Sequence, residues 1–143
     1  MTDIRVSDPS FPAGAEANVA RRISAWKTPS TGYASYLKDV IGTERQELYV
    51  SKTTEGGLSW AAGVKVNALS AIRDRVHQVS TWHEQWTPGD SGTKIHYVWM
   101  DRSETGLTAR ARIFHRPFDT ASDSLGIETE AYSVLCSQQL CGL

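Results

Sequence analysis

Cysteine is scarce in this chain: there are two, Cys136 and Cys141, both near its end. With no third or fourth thiol there is no disulfide framework and no cysteine-based zinc motif, and a reduced, cytoplasmic setting is the simplest expectation. Long apolar runs are missing too. No stretch approaches the roughly 18 residues that span a bilayer. The opening stretch, MTDIRVSDPSFPAGAEANVARR, has no continuous apolar segment, so neither a membrane partner nor a secretory signal is expected. An excess of one charge is also lacking. Fifteen Lys and Arg against 16 Asp and Glu leave a net charge of -1 with His neutral. That excludes a protein that coats nucleic acid by bulk charge, but not one with a local basic patch. Internal repeats and low-complexity tracts are absent.

What is present is an ordinary globular composition. The 143 residues are 40% hydrophobic and 22% charged, enough for one compact domain with one core. Residues 1 to about 12 hold Pro9 and Pro12 and read as an irregular arm. Val19, Ile23 and Trp26 recur at helical spacing, so a helix is predicted over Ala13 to Trp26, ended by TPSTG. Two strands follow, Tyr33 to Leu37 and Glu47 to Lys52, joined by turn residues Gly42 to Arg45. Each strand carries a tyrosine near its centre, and matching parity would bring two hydroxyls to one side of a sheet.

Asn67 is a plausible N-cap for a second helix, Ala68 to about Trp86, striped by Leu69, Ile72, Val76 and Val79. Arg73 and His77 lie four apart beside that stripe. Pro88 to Gly92 breaks it. Thr93 to Asp101 and Leu107 to His115 both alternate and read as a β-hairpin with its arginine side outward. Arg110, Arg112, His115 and Arg116 cluster there. From about Ser124 a third helix is predicted. In it Glu130 falls between Ile127 and Val134, an apolar column where a carboxylate is costly without a partner. Helix, two strands, helix, hairpin and helix make an α+β domain.

Tyrosine, tyrosine, arginine, histidine and glutamate, in that order, resemble the GIY-YIG nuclease family. Ala34-Ser35-Tyr36 stands where the family has GIY, with Tyr33 the fallback, and Tyr49-Val50-Ser51, followed by Lys52-Thr53, looks like its YIG strand. Arg73-Asp74-Arg75-Val76-His77 looks like its Arg-x-x-x-His helix, and Glu130-Ala131-Tyr132 like its glutamate helix. The resemblance covers roughly residues 32 to 138. Ala34 and Ser51 depart from it where glycine is expected, and no asparagine follows Glu130 at the family's place.

The resemblance implies a small antiparallel sheet flanked by helices, with the hairpin as an elaboration, over residues 32–143. Residues 1–31 are then an arm and helix. It implies a metal-dependent endonuclease that hydrolyses phosphodiester bonds, in DNA more than in RNA. Tyr36, Tyr49, Arg73, His77 and Glu130 would be catalytic. Glu130 would hold Mg²⁺ or Mn²⁺, and Lys52, Arg75, Arg110 and Arg112 would hold the substrate. The chemistry is sufficient if these groups converge: a carboxylate for the cation, a guanidinium fork for a phosphate oxygen, and a tyrosine or histidine to move the proton. Two further readings stand beside it. One is a non-catalytic binding or assembly domain whose Tyr36, Tyr49 and Glu130 form a satisfied polar core. The other is a metal-dependent ribonuclease or toxin-like effector.

Overall fold

The computed structural model describes residues 23–39, 45–68, 72–73, 79–86, 89, 91–102 and 110–135. The chain divides into two compact units, Met1–Val66 and Asn67–Leu143.

The first unit holds an antiparallel sheet in the order β1-β2-β3-β4. Its strands are β1 (Ile23–Trp26), β2 (Gly32–Asp39), β3 (Arg45–Thr53) and β4 (Val64–Lys65). The ladder of β2 and β3 sets Tyr33 against Lys52, Ser35 against Val50, Tyr36 against Tyr49 and Leu37 against Leu48. Parity then sorts the faces. Tyr33, Ser35, Leu37, Gln46, Leu48 and Val50 share one face, and all are buried. The opposite face carries Ala34, Tyr36, Lys38, Glu47, Tyr49 and Ser51. The connection from β3 to β4 folds over that second face: Ala61 N–H donates to the Lys52 carbonyl at 2.8 Å, and the Ser51 hydroxyl donates to the Ala61 carbonyl.

The second unit holds a sheet in the order β10-β8-β7-β6, with a short strand pairing β8 outside that path. The sheet is built of β6 (Val79–His83), β7 (Lys94–Arg102), β8 (Arg110–Asp119), β9 (Ser124–Leu125) and β10 (Thr129–Leu135), and β5 (Ile72–Arg73) is not one of its strands. β5 lies beside β7, and β9 is the strand that pairs β8. The inner face is packed by Val79, Ile95, Tyr97, Trp99, Phe114 and Phe118, all buried. Trp99 and Phe114 are direct cross-strand partners, with ring centroids 5.9 Å apart. The outer face carries Ser80, Trp82, His96, Val98, Met100, Ile113, His115, Pro117 and Tyr132.

The architecture corrects the α+β expectation of a sheet flanked by helices. Among the described residues there is one 3₁₀ turn, Glu84–Trp86, and every other regular element is a strand. The predicted first helix ends instead in β1, where Ser24 and Trp26 pair with Ala34 and Gly32; residues 13–22 lie outside the described residues. Where the second helix was predicted, the described residues form β5, β6 and the 3₁₀ turn; residues 69–71 and 74–78 lie outside the described residues. Over residues 79–83 the sequence VSTWH alternates, with Val79 and His83 buried and Ser80 and Trp82 exposed; that period of two prevails over the longer 3.6-residue stripe. The predicted third helix is β10, whose sequence TEAYSVL is rich in strand-favouring Thr, Tyr and Val. The hairpin stands as β7 and β8, in register from Lys94 opposite Asp119 to Arg102 opposite Ala111. No helix among the described residues is long and apolar enough to cross a membrane.

Candidate functional sites on the two sheets

Tyr36 and Tyr49 face each other across the β2–β3 ladder, their rings stacked at 5.7 Å and 12°. Tyr36 is buried, and Tyr49 donates its hydroxyl to Glu47 Oε2 at 2.7 Å. Glu47 Oε1 accepts from Lys65 Nζ at 2.6 Å, and the Lys38 ammonium lies 5.6 Å from the Tyr49 ring centre. Partial burial pushes the Glu47 carboxyl up. The hydrogen bonds from Lys65 and Tyr49 and the charges of Lys65 and Lys38 outweigh that and hold it below the usual 4.5. Gly63 closes the cluster. A Cβ there would collide with the Tyr36 hydroxyl and come within 3.3 Å of the Tyr49 ring, so only glycine leaves room for both rings. Tyr33 is on the other face, opposite Lys52, whose ammonium is 5.9 Å from its ring centre. Lys52 therefore does not share the face of the tyrosine pair.

The remaining expected site residues belong to the second unit. Arg73 is on the two-residue strand β5 rather than a helix, and His77 and Arg75 lie outside the described residues. Glu130 is on β10 opposite Phe114, beside a register shift between Glu130 and Tyr132. Its side chain is 42% exposed rather than enclosed in an apolar column. The cation within reach of it is Arg112, with Nη1 3.9 Å from Oε2. A guanidinium beside a lone carboxylate does not fit a Mg²⁺ or Mn²⁺ site. Among the described residues, no group of three or more His, Cys, Asp or Glu side chains could hold a metal ion.

Arg112 corrects the expectation of an outward arginine face. It lies on the inner face, donates from Nη2 to the buried Asp101 carboxylate directly across the ladder, and stands 5.0 Å over the Phe114 ring. Arg110 is the first residue of β8.

The outer face of this sheet holds a group that lies outside the nuclease-like motif. Glu84, at the start of the 3₁₀ turn, is anchored by Lys94 N–H donating to Oε2 at 2.9 Å. Its Oε1 lies 2.9 Å from His96 Nε2, and His96 Nδ1 lies 2.9 Å from His115 Nε2. The two imidazoles are 5.2 Å apart between centres and 19° from parallel. An ionised Glu84 accepts from His96 Nε2–H, and one proton lies between His96 Nδ1 and His115 Nε2. The His96 hydrogen bond, followed by the Lys94 N–H, holds the Glu84 carboxyl below its usual range. Partial burial, then the His96 charge, lowers the His115 imidazole below 6.5. The sequence signal was parity: His96 alternates with Tyr97 on β7, and His115 falls on the face opposite Arg112 and Arg116.

No protein-family model, no curated protein and no solved structure matches the chain.

Proposed function

We propose that the chain is a non-catalytic binding and assembly domain that pairs with a second copy of itself through the outer face of its second sheet. The observation that carries this reading is the exposure of large apolar side chains on that face: Trp82 at 51%, Val98 at 38% and Tyr132 at 56%. Half-buried Met100, Ile113 and Pro117 lie between them, so the apolar surface is contiguous rather than scattered. Its charges favour a copy of itself over a charged polymer. Lys94 sits opposite Asp119 at one end of the ladder, and with Glu84 beside His96 the face offers no excess positive charge to steer a polyanion. A two-fold, isologous contact would lay this patch against itself. In the first unit, the closed Tyr36–Tyr49–Glu47–Lys65 cluster is the satisfied polar packing that a scaffold role requires.

Sedimentation equilibrium over a range of concentrations tests the reading. Wild type is expected to self-associate, and Val98→Lys, which sets a charge in the centre of the face, to remain monomeric with its fold intact. A wild type that stays monomeric throughout would exclude it.

A metal-dependent endonuclease is the second reading. It is favoured by one observation: Tyr36 and Tyr49 share a sheet face with Lys38 and Lys65. Nicking of plasmid DNA, and of RNA, in Mg²⁺ or Mn²⁺ tests it. The reading requires cleavage that chelation stops and that Tyr49→Phe and Glu130→Gln each abolish.

A further inference from the structure

Trp26 ends β1 directly across the ladder from Gly32. Its indole lies on that glycine: a Cβ there would come within 2.7 Å of Cε3 and 2.9 Å of Cδ2 and Cζ3, all atoms of the six-membered ring. One face of the ring is thereby set against backbone. Trp60 meets Trp26 crosswise, with ring centroids 6.4 Å apart and planes at 67°. With both contacts made, Trp26 is still 45% exposed. It lines an open cleft of about 500 Å³ together with Lys27, Thr28, Pro29 and Gly56. We infer that this cleft binds a neutral oligosaccharide, with one sugar ring stacked on the outer face of Trp26. The cleft belongs to the first unit and stands whether or not two copies of the chain pair.

Both lips of the cleft are held in place by hydrogen bonds. In the turn from β1 to β2, Lys27 N–H and Thr28 N–H donate to the Thr31 carbonyl at 2.9 and 3.2 Å, and Thr31 N–H donates to Thr28 Oγ1 at 2.9 Å. In the turn after β3, the N–H groups of Glu55 and Gly57 donate to Thr53 Oγ1 at 3.2 and 3.0 Å. Gly56 N–H donates to the Ser30 carbonyl at 2.8 Å and ties one turn to the other. Gly56 and Gly57 hold φ of 66° and 89°, a region that glycine takes without strain. A cleft fixed in this way loses little further freedom when it is filled.

The lining suits a sugar better than its rivals. An indole face is the negative side of a quadrupole. The C–H bonds on one side of a pyranose ring present weakly positive hydrogens on an apolar surface, so stacking that side on Trp26 takes both surfaces out of water. The hydroxyls around the ring then need hydrogen-bonding partners. Lys27 and Thr28 bring an ammonium and a hydroxyl to the cleft, and Ser30 Oγ lies 3.3 Å from Thr28 Oγ1. The volume falls within the roughly 300–1,000 Å³ of small-molecule sites. A proline-rich segment docks in a groove between aromatic side chains, whereas Trp60 stands crosswise to Trp26. A single-stranded nucleic acid would stack a base on the indole but also needs cations along its backbone. Here Lys27 is offset by Glu55, the neighbour of Gly56.

The test starts with retention of the full chain on insoluble cellulose, chitin and starch. Cellohexaose, chitohexaose and maltohexaose are then titrated into wild type, Trp26→Ala and Trp82→Ala, with near-ultraviolet circular dichroism checking that each remains folded. Oxidative footprinting of wild type with each hexasaccharide needs no variant and shows which tryptophan is covered. The expected result is retention on at least one polysaccharide and protection of Trp26, but not of Trp82, by the matching hexasaccharide. Trp26→Ala is expected to weaken binding by about tenfold or more, the scale of one lost ring-on-aromatic stack, and Trp82→Ala to leave it unchanged. Retention on none of the three, or binding that leaves Trp26 as reactive as before, would overturn the proposal. Protection of Trp26 by oligothymidylate and by no saccharide would overturn it in favour of a base-stacking site.

Discussion

At the scale of single residues, the tyrosine pair of the first sheet is a packing device built around one glycine. Tyr36 is 4% exposed, and the space beside its hydroxyl exists because Gly63 has no side chain. Gly63→Ala is expected to destabilise the first unit by about 1–3 kcal/mol, the usual cost of forcing a methyl group into filled space. Urea unfolding measures it. Removing the hydroxyl it strikes, in Tyr36→Phe/Gly63→Ala, is expected to recover part of the loss; a double variant no better than additive would remove Tyr36 from the account. Glu47 carries a pH effect of definite sign. Its folded carboxyl is held below 4.5, so its contribution is complete above that value and is lost as pH falls through the lower folded value. The acid limb of a pH–stability profile is therefore expected to flatten in Glu47→Gln. An unchanged limb would assign the acid sensitivity elsewhere. The cross-strand meeting of Tyr36 and Tyr49 was legible in the sequence, because strand parity alone determines it. Gly63 was not, because its role depends on a connection folding back over the sheet.

At the scale of elements, the hairpin of β7 and β8 organises the second unit, and Arg112 is part of its interior. Asp101 is 2% exposed and takes its charge partner from the neighbouring strand. Arg112→Ala is therefore expected to cost about 3–5 kcal/mol in stability, since it leaves a buried carboxylate without its guanidinium. Arg112→Ala/Asp101→Asn should lose less than the single change. A folded Arg112→Ala protein of wild-type stability whose only defect is weaker DNA binding would contradict this and restore the substrate-contact expectation. Trp99→Ala, which empties the centre of the inner face, is expected to cost a similar 3–5 kcal/mol by thermal or chemical unfolding. The hairpin could be read from alternation in both strands. Its inward and outward sides could not, because Arg and Trp share a parity and only the Asp101 partner decides that the guanidinium turns in. β6 and β10 were misread for a related reason. Leu69, Ile72, Val76 and Val79 fit a helical stripe, and so do Ile127 and Val134 around Glu130. Short segments satisfy both periods until pairing to β7 and β8 selects one.

At the scale of the whole molecule, two antiparallel sheets replace the expected sheet with helices, and the far-ultraviolet spectrum is accordingly expected to be dominated by strand. The five-residue order that resembles a nuclease survives in the sequence. Its helical settings do not: Arg73 and Glu130 are on strands. The structure adds an outer face that brings exposed aromatic side chains and a hydrogen-bonded histidine pair together, which no linear motif announces. That face is the central claim, and oxidative footprinting at low and high protein concentration tests it most directly. Trp82 and Tyr132 are expected to lose reactivity as concentration rises at neutral pH. Trp26 of the first unit, 45% exposed, serves as the internal reference and is expected to stay unchanged. Trp82 and Tyr132 reacting equally at both concentrations, or Trp26 being protected just as strongly, would contradict the account.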